Sequence, residues 1–356
     1  MSESVDQLVV SKATPSTAPP RRQERRWIFV LLLLGLASTI ILTTLAGNAQ
    51  TFALLFNANL VFVLCIVAAQ TLRYVAMTIS TRVLAEIVGM RVPFSQMFQV
   101  NVAAQAANRT FVGGAAGVLI RFAYFFKRGM HSGTYGAVEG IEGGLGFLAT
   151  CSLFLVGLSI VLASGAASEF RWDVIGLVIL GALVLAAAVI TIVRRRDWVE
   201  RAADWIVRGV DRIVSRILRR SIYDPARVRG AVNDFYNALE LAKRDPARMF
   251  ISFLCCVGRL GCDAVALYFA FHALGYDAAP GQVLLIFVVS TSVSTIAAVP
   301  GQIGVMEGML SLMSAAFGIP VPIAVGATLL YRLVSFWLPI PFGYAFAWNL
   351  TRKGLV

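Results

Sequence analysis

The sequence predicts an all-α polytopic membrane protein with about six full spans and two oppositely inserted re-entrant helical hairpins. Three observations carry this reading. Hydrophobic residues make up 58% of the 356-residue chain and charged ones 14%, whereas a soluble domain is nearer half apolar and a quarter charged. Several runs exceed the roughly 18 apolar residues that mark a membrane span. Two glycine-broken segments, VGGAAGVLIR at 112–121 and VPGQIGVME at 299–307, share one spacing. Thirty glycines and twelve prolines sit largely among the apolar runs. That suits broken membrane helices, since only helices and closed barrels satisfy their backbones in a bilayer.

The elements follow in order. Residues 1–26 form a polar tail rich in Ser, Thr and Pro that ends in RRQERR, a composition that does not bury a core. The first span is 27–46, with Trp27 as an interfacial anchor and no small-residue cleavage site after it. A charge-free loop at 48–50 leads to a second span at 54–88, whose far end Arg73, Arg82, Glu86 and Arg91 mark as cytoplasmic. Gln96, Gln99, Asn101, Gln105, Asn108 and Arg109 interrupt the next apolar stretch, near 97–126, before the first glycine-rich break. Both flanks of that stretch are basic, so it reads as a re-entrant hairpin buried in protein or lining a cavity.

Spans at 135–162 and 174–193 complete a first membrane half, 27–193. Residues 194–248 hold fourteen Lys/Arg against eight Asp/Glu. There Trp198 and Trp205 share an apolar helical face, with Arg208, Arg212, Arg216 and Arg219 on the others. A basic amphipathic helix on an anionic leaflet has this pattern, and so does a solvated connector packed on the membrane domain. The second half, 249–356, carries a span at 249–274, a re-entrant pair near 283–317 and a last span at 323–350. Both termini are expected in the cytoplasm of a plasma-membrane protein. The net charge of +12 lies in juxtamembrane loops, where it sets topology and attracts anionic lipid, and no nucleic-acid motif accompanies it.

The two broken segments match at four of ten positions, with Val112, Gly114, Gly117 and Val118 on Val299, Gly301, Gly304 and Val305. Entering from opposite faces, they would form an inverted repeat, the signature of transporters that alternate access. Ionisable residues inside spans are costly and point to function. Arg121, Glu139, Glu142, Arg259, Asp263, Glu307 and Arg332 are such residues. Arg259 and Asp263, four apart, are expected to neutralise each other on one helix. Arg121 with Glu139 and Glu142, and Arg332 with Glu307, form two acid–arginine sets, one per break, that would hold a zwitterionic or anionic head group or else lock helices together. Glu307 and Arg332 are expected to face one cavity, close enough to pair. The five cysteines and two histidines show no ligand spacing. No catalytic residue, metal or cofactor is expected, and no phosphate loop or nucleophile elbow is present.

The segment GQIGVMEGML followed by GIPVPIAVGATLLYRLVSFWLPIPFG resembles the C-terminal signature of the lysylphosphatidylglycerol synthase transmembrane (flippase-like) family. Pro300, Gly301, Gly304 and Glu307 match its first element, Gly318 and Pro320 its second, and Tyr331, Arg332, Trp337, Leu338 and Pro339 its third. Asn108, Gly114, Gly117 and Arg121 match the family's first-half element, with Glu142 downstream. Gly113, Val118 and Gly143 stand where the family has proline, an acid and arginine, which points to a different head group at the first-half site. The resemblance spans roughly 28–350 and implies a protein that moves aminoacylated or glycosylated lipids between leaflets, or that partners an enzyme making them. The expected substrate is therefore a membrane lipid with an anionic, aminoacylated or glycosylated head group. The alternative is a non-transporting scaffold for a lipid-modifying or glycosyl-transferring enzyme, with the basic insert as its docking surface.

Overall fold

A computed structural model describes residues 49–110, 115–163, 201, 225–297 and 300–356. Among the described residues every regular element is helical. The tail 1–26, the spans at 27–46 and 174–193, Gly114, and the surface helix bearing Trp198, Trp205, Arg208, Arg212, Arg216 and Arg219 lie outside the described residues.

The elements are α1 (Ala49–Phe56), α2 (Leu60–Ile87), α3 (Phe94–Thr110), α4 (Ala115–Lys127), α5 (Ser132–Ala163), α6 (Pro225–Arg244), α7 (Pro246–Ala273), α8 (Pro280–Ile296), α9 (Val305–Ala316), α10 (Val321–Arg332) and α11 (Pro339–Arg352). A π turn at Leu333–Trp337 joins α10 to α11. The polar loop expected at 48–50 is helical from Ala49, and the second span begins only at Leu60. Asn59 causes that break: its side chain accepts the Val61 N–H at 3.0 Å and caps α2. Asp245 caps α7 through the Arg248 N–H, with Pro246 at the first helical position where its missing donor costs nothing.

Four helical stretches are long and apolar enough to cross a membrane: Leu60–Ile87, Ser132–Ala163, Pro246–Ala273 and the continuous Val321–Arg352. The last is the central post, since 78% of its most apolar window is buried, against 28%, 33% and 39% for the others. The outer helices instead expose leucines such as Leu60, Leu64, Leu148 and Leu155, as lipid-facing surfaces do. With this pattern the chain is an α-helical polytopic membrane protein.

Two pairs of short helices interrupt the frame. The 17 and 13 residues of α3 and α4, and the 17 and 12 of α8 and α9, give lengths of about 26, 20, 26 and 18 Å at the helical rise, short of the roughly 30 Å hydrocarbon core. Each pair packs against itself. Helix α3 is polar for a membrane helix, yet Val100, Asn101, Val102, Ala103 and Ala104 are all buried, so protein rather than lipid surrounds it, as unconventional segments at membrane depth require. It lies so close to α11 that a Cβ on Gly343 would stand 2.3 Å from Ala106 Cβ. Small residues allow that approach.

Candidate functional site

In the first half, Arg121 on α4 reaches across to α5. Its Nη2 hydrogen-bonds Glu142 Oε2, and its Nε lies 3.0 Å from Glu139 Oε1. Glu139 and Glu142 are three residues apart and present both carboxylates on one helical face. The Tyr135 hydroxyl, a turn earlier, stands 2.6 Å from Glu139 Oε1 and 2.8 Å from the Val118 carbonyl. Thr81 on α2 closes the set, its Oγ1 3.3 Å from Arg121 Nη2. Arg121 and Glu142 are 7% and 8% exposed and the Glu139 side chain 22%, so the cluster is a largely buried junction of three helices. A further cation, Arg259 of α7, packs its Nη2 against Gly146 on the next turn of α5.

The preceding break is capped from α3. Asn108 Oδ1 accepts the Gly117 N–H at 2.6 Å, and a Cβ on Gly117 would stand 2.4 Å from the Ala104 carbonyl. Asn108 and Gly117 thus tie the start of α4 to α3 and do not join the ionic cluster.

In the second half, Pro300–Gln302 forms a single tight turn with Gly301 at φ 59° and Gly304 at φ 83°. Left-handed backbone of this kind suits glycine. Gly301 is doubly required, because a Cβ there would stand 2.8 Å from the Arg109 carbonyl and 3.0 Å from the Phe336 ring. The chain then enters α9, and Glu307 at its third position reaches back to accept the Gly304 N–H at 2.7 Å. The anion at this helix start is thus the protein's own carboxylate. Its other oxygen, Oε1, accepts from Arg332 Nε at 2.6 Å, while Arg332 Nη2 donates to the Gly301 carbonyl at 3.2 Å. Glu307 and Arg332 are each 6% exposed. They face one another, as their place in the sequence predicts.

Phe336, in the π turn, organises the surroundings. The Arg332 guanidinium lies 4.2 Å from its ring centroid and that of Arg109 lies 5.5 Å away. Arg109 Nη1 also donates to the Phe336 carbonyl at 3.2 Å. The π turn arises where Pro339 and Pro341 withdraw two N–H donors from the ladder, and Leu338 N–H bonds instead to Leu333 O. Such turns cluster at functional sites.

Two sequence expectations are corrected here. Asp263 does not pair with Arg259 on its own helix; it takes Arg73 Nε at 2.8 Å and Gln70 Nε2 at 2.9 Å, both from α2. The close packing of α2 on α7, tied also by Ser80 and Ser252 at 2.8 Å, presents a partner that local spacing does not reveal. Arg73 is likewise no marker of a cytoplasmic helix end. It sits midway along α2 with its side chain 11% exposed. Tyr331, on α10, hydrogen-bonds Ser335 and lies in the field of Asp263, Arg73 and Arg332. Arg109 senses Tyr74, Arg73, Arg332 and Asp263. Sequence reasoning gave no site role to Arg73, Arg109 or Phe336; the available signal was a pair of arginines inside helices with no carboxylate one turn away.

Short broken helices inside a polytopic bundle, with arginine–carboxylate clusters buried at both breaks, define an integral membrane protein that keeps charge within its membrane-spanning body. The chain belongs to the family described as the lysylphosphatidylglycerol synthase TM region, which it matches over residues 28–343. It is 23% identical over 328 residues to the UPF0104 membrane protein PH1989 of Pyrococcus horikoshii, covering 88% of this chain and 95% of that one. A UPF0104 membrane protein of Methanothermobacter thermautotrophicus is 21% identical over 321 residues, with 89% and 93% covered. UPF0104 membrane protein MJ1595 of Methanocaldococcus jannaschii is 27% identical over 123 residues, 34% of this chain and 37% of that one.

Proposed function

We propose that the protein is a lipid flippase or scramblase of the cell membrane. It moves a lipid with an anionic, aminoacylated or glycosylated head group between leaflets, has both termini in the cytoplasm and catalyses no covalent chemistry. One observation carries this reading: each broken segment meets a buried arginine–carboxylate cluster. Each ionised group at mid-bilayer costs at least about 2.5–3.5 kcal/mol, and Arg109, which donates to the Phe336 carbonyl and pairs with no carboxylate among the described residues, is a cost that helix locking does not explain. Charges at helix breaks instead match a path for a polar head group, as in carriers whose discontinuous helices meet at the midplane. The family's description supports lipid as the cargo.

The test is leaflet exchange in liposomes containing the purified protein and natural or fluorescent anionic lipids. Faster exchange than in protein-free vesicles is expected, and Glu307→Gln should slow it. Exchange no faster than in empty vesicles sinks the transport reading. The remaining one would then be a scaffold for a lipid-modifying or glycosyl-transferring enzyme, which the basic face favours: an open cavity of about 550 Å³ there is lined by Glu86, Gly89, Arg91 and Arg248.

A further inference from the structure

The second-half cluster holds one positive charge more than it can neutralise. Arg73, Arg109 and Arg332 supply three cations, and Asp263 and Glu307 supply two anions. All four carboxylate oxygens are taken. Asp263 Oδ1 and Oδ2 serve Gln70 and Arg73, and Glu307 Oε1 and Oε2 serve Arg332 and the Gly304 amide. Among the described residues no carboxylate pairs with Arg109, and its Nη1 donates to the neutral Phe336 carbonyl. Arg73 and Arg332 repel it, and Asp263, already paired with Arg73, attracts it only from outside hydrogen-bond reach.

Two donors on α2, which packs against α3, are also unused. Arg73 Nη1 and the Tyr74 hydroxyl are buried and have no hydrogen-bond partner, although buried polar groups are nearly always satisfied. Water would serve these donors but would leave the surplus charge. A monoanion serves both. Planar guanidinium forks with a hydroxyl beside them suit the oxygens of a phosphate group.

We propose that Arg109, with Arg73 Nη1 and the Tyr74 hydroxyl, binds one singly charged phosphodiester anion beside the Glu307–Arg332 pair. The inference rests on the lipid-handling reading only for the source of that anion, a lipid head group. Phe336 positions Arg109 through its ring and carbonyl, so the site depends on the π turn as well as on the arginines.

The test is a binding titration of the full chain in neutral detergent with short-chain dihexanoyl phosphatidylglycerol. Dihexanoyl phosphatidylcholine, with no net charge, is the counter-ligand, and glycerophosphoglycerol is the same phosphodiester without acyl chains. Wild type should bind the phosphatidylglycerol saturably and more tightly than the phosphatidylcholine. Arg109→Gln should weaken it at least tenfold, with Arg109→Lys intermediate because the charge stays and the fork is lost. Tyr74→Phe, which leaves every charge in place, should weaken it a few-fold and covers the case in which an Arg109 variant fails to fold. Competition by glycerophosphoglycerol would assign recognition to the anion alone, and lack of competition would assign it to the intact lipid; each agrees with the site. Absence of saturable binding, equal affinity for both lipids, or undiminished affinity in the folded variants overturns it. Leaflet exchange is read separately: exchange with Arg109-independent binding sinks this site only, and Arg109-dependent binding without exchange sinks only the transport reading.

Discussion

The two buried clusters are built from the same residue types and differ in what they leave unsatisfied. In the first, two carboxylates close on Arg121, with Tyr135 and Thr81 on the remaining sides, so its cation is fully paired and its excess charge is negative. In the second, each carboxylate already has its own arginine, and Arg109 remains over. The first is a closed knot that joins α2, α4 and α5. The second is an open set with a cation and two donors to spare. The same chemistry, arginine beside carboxylate at a glycine break, therefore supports one role that is mainly structural and another suited to a ligand.

The largest effect should come from opening the knot. Arg121→Gln leaves Glu139 and Glu142 facing each other without their cation, and removing one partner of a buried ion pair costs about 3–5 kcal/mol. An unfolding titration in bicelles should show that loss. Arg109→Gln should change stability by less than about 1 kcal/mol, since it removes a charge that has no carboxylate to abandon. Equal losses in the two variants would erase the distinction between the clusters.

Glu307→Gln should fall between them. The amide keeps the shape and still accepts the Gly304 N–H, but its NH2 then faces the Arg332 Nε–H, so Arg332 loses both acceptor and counter-charge, a cost of about 3 kcal/mol. Lipid exchange should fall more than folded yield does. Arg332→Lys should also impair exchange, because a single ammonium cannot serve Glu307 and the Gly301 carbonyl with the same fork. Wild-type exchange in both variants would make this pair a packing element. Gly301→Ala tests the backbone beneath it. A left-handed φ with a methyl aimed at the Arg109 carbonyl should cost about 1–3 kcal/mol, read as a lower unfolding midpoint.

How much of this was legible in the sequence depends on whether the cause is local. Helix breaks are local: glycine, proline and glutamine inside apolar runs signalled the short α3–α4 and α8–α9 pairs. Glu307 and Arg332 were legible as a pair because they are the two charged residues between Asp277 and Arg352. Asp263 was misleading because Arg259 satisfies the four-residue rule on the same helix, whereas the partner chosen depends on how α2 packs against α7. Arg73 was misread for a related reason. Charges at 82, 86 and 91 drew it into a juxtamembrane group, although apolar residues run for several turns on both sides of it. The spare charge on Arg109 emerges only after all four carboxylate oxygens have been assigned, which requires side-chain geometry.

A local effect tests whether the breaks are equivalent, as their shared spacing implies. Gly117 and Gly304 align, and both amides are held by a side-chain oxygen: Asn108 Oδ1 at 2.6 Å in one, Glu307 Oε2 at 2.7 Å in the other. One cap is neutral and reaches from the preceding helix. The other is charged and reaches back from the helix it starts, which is why it also recruits an arginine. Asn108→Ala should cost about 1 kcal/mol, as the loss of a cap does, and speed hydrogen–deuterium exchange of the Gly117 amide about five-fold. Glu307→Gln should leave the Gly304 amide protected, because the carboxamide oxygen still accepts. Peptide-level exchange over 115–121 and 300–307 reads both. A Gly117 amide unchanged by Asn108→Ala, or a Gly304 amide exposed by Glu307→Gln, would show that the two breaks are held by different forces despite their common spacing.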